Sequence, residues 1–313
     1  MEKETVLTIE VDLNFKKEYK RKCDALVTDQ ISYKPIEETL FKLASLRGNT
    51  FMFYNPAHIG RGVLFSLSKI QPKHLGLLLR LPATDEDVDV LFDLVDQLIQ
   101  FDECTMKINE EDAPIEELPR LRKEFKEYNR KLLMNEVTKL KQKEQELISI
   151  PCMLYYIDID LKAINSFPND QDVMIGFRDH LHNRQKLSVK SAKFGLYSHK
   201  GSIKLILAQY VITTNEYLVI PKGRMISKVI EMYGYKGVNE RVNYWRYELK
   251  DGDDLIGYIF VDELLELIPS DKIREFDATK YVVGKFTREE LQAMFDKAAS
   301  TDEDREDIAE KAK

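Results

Sequence analysis

Two acidic side chains lie in an apolar segment that reads Tyr-Ile-Asp-Ile-Asp. Asp158 and Asp160 are two residues apart, so on an extended strand both carboxylates project from the same face. Paired carboxylate oxygens at the end of a strand are suited to binding Mg²⁺ or Mn²⁺. The pattern is equally typical of a strand whose isoleucines point into a core and whose aspartates face water. A metal site and an ordinary surface strand are therefore both open.

Two glycine-containing loops place basic side chains where an anion could bind. Arg61 lies between Gly60 and Gly62, which allow a ligand to approach the backbone, and an arginine can hold a carboxylate or phosphate through two hydrogen bonds. A counterpart loop in the second half contains Lys222 and Arg224 and precedes a predicted helix, whose N-terminal amides would also attract an anion. Neither loop matches a phosphate-binding fingerprint, and glycines are ordinary turn residues.

Cysteine and histidine form no recognised catalytic pattern. The cysteines are odd in number and far apart, which indicates reduced thiols in a cytoplasmic protein: Cys23, Cys104 and Cys152. His180 and His182 lie two residues apart in a predicted helix, so they point in different directions and are poorly placed to chelate one ion. The sequence contains no Ser-His-Asp order and no nucleophile elbow, and it predicts no catalytic nucleophile.

Hydrophobic periodicity indicates the elements that must position these residues. Residues 5–13 alternate as a half-buried strand, and Thr84 followed by three acidic residues marks the start of a helix. Residues 114–148 are predicted to form one long helix. The other predicted strands are 51–54, 63–67, 75–81, 152–160, 193–198, 203–208, 210–220, 242–249 and 255–260. Further helices are predicted after Pro35, at 171–183 and after Thr287.

These elements predict an α+β protein with two sheet-containing lobes, built of mostly antiparallel strands with flanking helices and bridged by the long helix. The expected division is an N-terminal lobe at 1–113, the connecting helix at 114–148, a C-terminal lobe at 149–299 and an acidic tail at 300–313. The apolar runs are too short to cross a bilayer, and the N-terminus alternates instead of forming an apolar signal core. We therefore expect no membrane association.

Charge is unevenly distributed along the chain, whose net charge is −7. Thirteen acidic side chains and one lysine lie between residues 85 and 117, whereas thirteen basic and four acidic side chains lie between residues 184 and 250. Between residues 251 and 313, acidic side chains outnumber basic ones two to one. This segregation indicates either solvated faces that attract one another or surfaces that select a charged partner.

The basic region also contains aromatic residues, a combination that can stack bases and hold phosphates. They are Tyr233, Tyr235, Tyr244, Trp245 and Tyr247, interleaved with Lys236, Arg241 and Arg246. The net acidity of the chain argues against nucleic acid as the partner, because the usual footprint of such binding is a basic domain. Core and interface positions account for these aromatic residues more simply.

One short segment resembles the metal-binding strand of diguanylate-cyclase-type palm domains, in which Asp-Ile-Asp is followed by Lys-x-Ile-Asn. Residues 154–165 carry this resemblance, which implies a metal ion on Asp158, with Lys162 and Asn165 near a nucleotide. The second signature of those domains is a Gly-Gly-Asp/Glu-Glu-Phe hairpin. It is absent from the sequence, since the corresponding residues 197–202 lack its carboxylates.

Three other stretches together resemble a family of uncharacterised proteins from Gram-positive bacteria. They are Gly60-Arg61-Gly62 before a strand, residues 81–88 at the start of a helix, and residues 260–283, with Phe-Val-Asp-Glu-Leu and Phe-Asp-Ala. The resemblance implies a cytoplasmic bacterial protein and supplies no catalytic residue.

The sequence as a whole favours a non-enzymatic protein-interaction module that recognises another protein and needs no cofactor. One alternative is a metal-dependent nucleotide-binding enzyme that uses Asp158 and Asp160 with Mg²⁺ or Mn²⁺. The other is a small-anion-binding protein that uses Arg61, Lys222 and Arg224. The sequence leaves the oligomeric state open.

Overall fold

The computed structural model describes residues 6–12, 23–40, 50–67, 74–100, 105–167, 173–198, 206–226 and 239–299. By its contacts the chain divides into two compact units, Met1–Leu187 and Ser188–Lys313. Residues 149–187 thus belong to the first unit, whereas the sequence predicts them in the C-terminal lobe. Each unit has a hydrophobic core of its own and is described separately.

A seven-stranded antiparallel sheet is the framework of the first unit. Its strands are β1 (Val6–Asp12), β2 (Ser32–Pro35), β3 (Thr50–Tyr54), β4 (Val63–Leu67), β5 (His74–Arg80), β6 (Thr105–Ile108) and β7 (Glu111–Asp112). In space they follow the order β2-β3-β4-β5-β1-β6-β7. Strand β1 pairs with β5, with Ile9 opposite Leu77, because the alternating apolar residues of both strands then share one buried face.

Helix α1 (Asp85–Leu98) packs against β3, β4 and β5 of this sheet. The Thr84 hydroxyl accepts a hydrogen bond from the backbone N–H of Asp87, and the Asp87 carboxylate accepts one from the backbone N–H of Thr84. This reciprocal pair satisfies two amides that the first turn of a helix leaves without partners. The helix start predicted at Thr84 is confirmed.

Helix α2 (Leu118–Lys141) is the long helix, and it packs against α1 within the first unit. It is shorter than the predicted span of 114–148, because residues 115–117 form a 3-10 turn and Lys143 adopts a positive φ just after the helix ends. Asn129 in its middle is fully buried. The Asn129 amide accepts the N–H of Ala83 at 2.7 Å and donates to the Ala83 carbonyl at 2.8 Å, which ties α2 to the entry of α1.

The first unit continues with two short strands, β8 (Ile148–Pro151) and β9 (Tyr156–Ile159), and with helices α3 (Leu161–Asn165) and α4 (Val173–Gln185). The single strand predicted at 152–160 is wrong. The N–H of Cys152 donates to the Tyr155 carbonyl and closes a turn, so the apolar run forms an antiparallel hairpin instead.

Two four-stranded sheets form the second unit. Their strands are β10 (Lys190–Ser191), β11 (Lys193–Ser198), β12 (Ile206–Thr213), β13 (Tyr217–Pro221), β14 (Tyr244–Asp251), β15 (Asp254–Phe260), β16 (Ile273–Glu275) and β17 (Lys280–Gly284). One sheet has the order β11-β12-β14-β15 and the other β10-β13-β17-β16. The pairs β12–β14 and β10–β13 are parallel, and the other pairs are antiparallel. Helices α5 (Val261–Leu267) and α6 (Arg288–Ala299) pack against β14 and β15.

The α+β architecture with mostly antiparallel sheets is confirmed. Within the parts of the chain that the structure describes, no helix is both long and apolar enough to span a bilayer. Of the helix predicted after Pro35, residues 36–38 form a 3-10 turn, while 41–49 lie outside the described residues. The tail at 300–313 and the helix expected after Arg224 also lie outside them.

We expect Asn129→Ala to destabilise the first unit by about 2–3 kcal/mol, because it leaves the buried N–H and carbonyl of Ala83 without partners. Asn135→Ala is the matched control, since Asn135 is exposed on the same helix and should change stability by less than about 0.5 kcal/mol. Urea denaturation followed by circular dichroism measures both. Equal stability of the two variants would contradict a stabilising role for the hydrogen bonds between Asn129 and Ala83.

Candidate functional site

The loop that contains Arg61 is organised around a buried carboxylate of α1. Asp87 is 1% exposed. Its Oδ2 accepts the backbone N–H of Arg61 at 2.9 Å and both the N–H and the hydroxyl of Thr84 at 3.1 and 2.9 Å. Its Oδ1 accepts the N–H of Gly62 at 3.0 Å. Burial raises the pKa of Asp87, and these hydrogen bonds oppose that effect.

The two glycines of the loop are required by this packing. A Cβ atom at position 60 would overlap the Asp87 carboxylate. Gly62 has a φ of +73°, and a Cβ there would lie 3.1 Å from the Phe53 carbonyl oxygen. Both glycines therefore let the backbone close around a carboxylate of the protein itself.

The Arg61 side chain is directed into the protein, since the residue is 3% exposed and its Nη1 donates to the Pro82 carbonyl at 3.1 Å. The sequence selected this loop as an anion-binding site. The structure shows that its backbone amides bind an anion and that this anion is Asp87. Binding of an external anion by Arg61 stays a prediction.

Helix α4 forms further hydrogen bonds with the same loop. The N–H of Ile59 donates to His182 Nδ1 at 3.0 Å. Gln185 is buried and donates from Nε2 to the carbonyls of Ile59 and Gly60, at 2.9 and 2.6 Å. Its Oε1 accepts the N–H of Leu154 at 3.0 Å. Sequence reasoning missed these contacts because the partners lie more than 120 residues from the loop.

The surroundings of His180 and His182 on α4 lower the pKa of both side chains and favour their neutral forms. The rings of His58 and His182 lie 5.9 Å apart, and the pKa of His182 is lowered, first by burial and then by the charge of Lys186. Burial lowers the pKa of His180 to about 3. The His180 ring packs on Phe167, and its Nε2 finds no hydrogen-bond partner among the described residues.

Asp158 and Asp160 have different surroundings although they are close in sequence. Asp158 is 1% exposed, and its Oδ1 accepts the Ser149 hydroxyl at 2.5 Å across the β8–β9 hairpin. Asp160 follows the last residue of β9 and caps α3, where its Oδ1 accepts the N–H of Ala163 at 2.8 Å. Across the described parts of the chain, no group of three or more His, Cys, Asp or Glu side chains is placed to hold a metal ion.

Lys222 and Arg224 each pair with a carboxylate of the second unit. Lys222 Nζ lies 2.8 Å from Glu275 and 5.1 Å from the centre of the Tyr281 ring. Arg224 Nε donates to Asp262 at 2.9 Å, with both side chains well exposed. An exposed pair of this kind is worth about 0–1 kcal/mol, so a stronger anion could displace it.

Ion pairs within each unit use several of the charged residues in the acidic and basic runs of the sequence. In the first unit, Arg122 and Lys126 of α2 bind Asp89, and Arg122 also binds Asp93 of α1. In the second unit, Lys222–Glu275 and Arg224–Asp262 join the basic run at 184–250 to the acidic run at 251–313. Some of the opposite charges separated in the sequence thus attract one another within a unit, and selection of a charged partner stays a prediction.

One face of the β11-β12-β14-β15 sheet carries a polar and aromatic group, of which only Arg246 is one of the interleaved basic and aromatic residues described from the sequence. The opposite face contributes Tyr210, Tyr247 and Ile259 to the core. Alternation and strand register place five residues together on the other side: Tyr197, Gln209, Arg246, Glu248 and Tyr258. We call them the outer-face cluster. A glutamine in the apolar strand Ile206–Thr213 was the signal available in the sequence.

A family model for a domain of unknown function, DUF4299, matches residues 7–294. The chain belongs to this family. No curated protein and no solved structure matches it. The match spans both compact units, and the resemblance of the sequence to an uncharacterised family is confirmed. Two of the stretches that carried the resemblance meet in space, because Gly60-Arg61-Gly62 closes around Asp87 of residues 81–88.

We expect Asp87→Asn to cost about 2–3 kcal/mol, because the amide Nδ2 would face the Gly62 N–H and two donors cannot bond to each other. Amide hydrogen exchange at Arg61 and Gly62 should accelerate in this variant. Asp96→Asn is the control on the same helix, since burial raises the pKa of Asp96 and removing its charge should cost nothing. Slow exchange at Gly62 in Asp87→Asn would contradict the role of the carboxylate.

We expect stability to fall on mild acidification because of His180. Its pKa in the folded protein, about 3, lies below the unfolded value of 6.5, so protonation favours unfolding as the pH drops from 6.5 towards 3. The loss should be about 2 kcal/mol between pH 7 and pH 5. His180→Phe should remove this part of the pH dependence, measured by urea denaturation at both pH values. An unchanged pH dependence would show that other groups cause it.

Proposed function

We propose that the protein is a recognition module that binds another protein through the outer-face cluster. The observation that carries this proposal is an aromatic and arginine surface on a regular sheet, with the Tyr197 side chain 54% exposed. Tyrosine and arginine are enriched at the energetic centres of protein interfaces. A sheet also fixes the backbone, so little conformational entropy is lost when such a surface binds.

The contacts of the other candidate residues support the same proposal. Asp160 caps a helix, and Asp158 receives a buried hydroxyl. The Arg61 side chain donates a hydrogen bond to the Pro82 carbonyl. Lys222 and Arg224 hold carboxylates of their own unit. These residues have roles in the fold, whereas the outer-face cluster combines exposed area with side chains suited to recognition.

Affinity capture with the full-length chain at about 0.15 M ionic strength tests the proposal. We expect the chain to recover a specific partner and Tyr197→Ser to recover at least tenfold less. Tyr128→Ser is the matched control, because Tyr128 is 45% exposed on α2 in the other unit and should leave recovery unchanged.

Recovery of no specific partner, or equal loss in both tyrosine variants, would contradict the proposal. A metal-dependent nucleotide enzyme stays the alternative prediction. It would be favoured instead if Mg²⁺ or Mn²⁺ with a nucleotide raised the melting temperature and Asp158→Asn abolished that effect. The small-anion alternative would be favoured if phosphate raised the melting temperature of the native chain but not that of the Arg224→Gln variant.

A further inference from the structure

The guanidinium of Arg246 is held rigidly at the centre of the outer-face cluster. Its Cζ lies 3.7 Å from the centre of the Tyr258 ring, a stacked cation–π arrangement. Its Nε donates to Gln209 Oε1 at 2.8 Å. Gln209 is buried and in turn donates to Glu248 at 2.7 Å. The plane and the position of the guanidinium are therefore fixed before any partner arrives.

This guanidinium forms no ion pair within 4.0 Å among the described residues. Burial lowers its pKa, and the more distant carboxylate of Glu248 opposes that effect only in part. Arg122 and Arg178 are also partly buried, and they pair with Asp93 and Glu86. A partly desolvated charge without a close ion-pair partner is costly. A carboxylate bound by the two Nη groups, which donate to no acceptor among the described residues, would compensate it.

The surroundings of Arg246 favour a carboxylate over a phosphate. Glu248 lies two residues along the same strand and face, and its carboxylate is held by Gln209 and lies 3.5 Å from Lys250. A phosphate carries up to two negative charges and would be repelled more strongly by Glu248 than a carboxylate would. The net charge of −7 further disfavours a nucleic-acid strand.

Tyr197 supplies an apolar contact beside the guanidinium. Gly195 pairs with Gln209, which pairs with Arg246. A Cβ at position 195 would lie 2.9 Å from the Tyr197 ring, so the ring covers Gly195 at the edge of the cluster. A ligand that reaches Arg246 can therefore also pack on the exposed tyrosine.

We propose that Arg246 receives the carboxylate of an aspartate or glutamate from a partner protein, with an apolar neighbour of that residue packed on Tyr197. This inference rests on the proposed function and names the chemistry of the partner at the same surface. Arginine is required because its planar fork binds a carboxylate with two hydrogen bonds, which the ammonium of lysine cannot reproduce.

A random peptide library displayed on phage, selected on the full-length chain, tests the inference. We expect the enriched peptides to share an Asp or Glu next to an apolar residue. The synthetic peptide should bind at least tenfold more weakly after its carboxylate is changed to an amide. Arg246→Gln and Arg246→Lys should weaken binding of the acidic peptide to a similar extent. Arg274→Gln, an exposed arginine on β16, should not.

Enriched peptides without a carboxylate, or equal binding by Arg246→Lys, would overturn the inference. Displacement of the peptide by oligo(dT) or inorganic phosphate at comparable affinity would do the same and would point to a phosphate ligand. A thermal melt checks that each variant is folded. If Arg246→Gln unfolds, Arg246→Lys still tests the inference, because it keeps the positive charge and removes only the planar fork.

If capture still depends on Tyr197 while these expectations fail, the proposed function stands and the partner chemistry is wrong. Failure of both experiments removes the proposed function as well.

Discussion

The buried carboxylate of Asp87 fixes how the start of α1 and the loop between β3 and β4 meet, because burial alone would not align their polar backbone groups. Its oxygens take amides from the start of α1 and from the loop between β3 and β4. The same loop also forms hydrogen bonds with His182 and Gln185 of α4. The loop therefore couples the sheet to α1 through Asp87 and to α4 through His182 and Gln185.

Local signals in the sequence were sufficient for the longer helices and for about half of the strands. Thr84 and Thr287 predict helix starts that the structure contains, because capping acts over three or four residues. The break predicted between 208 and 210 is wrong, because β12 runs unbroken from Ile206 to Thr213. The single strand predicted at 152–160 is wrong because a turn interrupts it at Cys152–Tyr155. Its apolar composition was right, but the turn inside it depends on hydrogen bonds that periodicity does not report.

The candidate sites were harder to predict, because their meaning depends on distant partners. The Arg61 loop indicates an anion site in the sequence, and in the structure its backbone amides bind the Asp87 carboxylate. The spacing of Asp158 and Asp160 predicts that both project from one strand, but β9 ends at Ile159 and Asp160 caps a helix. The sequence could show which residue types were present. It could not show that Asp93 of α1 would pair with Arg122, 29 residues further along the chain.

The route of the chain through the second unit makes its two sheets inseparable. After β12 the chain leaves one sheet to supply β13 to the other, and then returns to place β14 parallel to β12. No truncation between these strands yields a complete sheet, since each sheet takes strands from both sides of the cut. The unit is thus expected to form in a single cooperative step that depends on contacts distant in sequence, and such topologies fold slowly. A surface built on β12 and β14 exists only when the whole unit has folded.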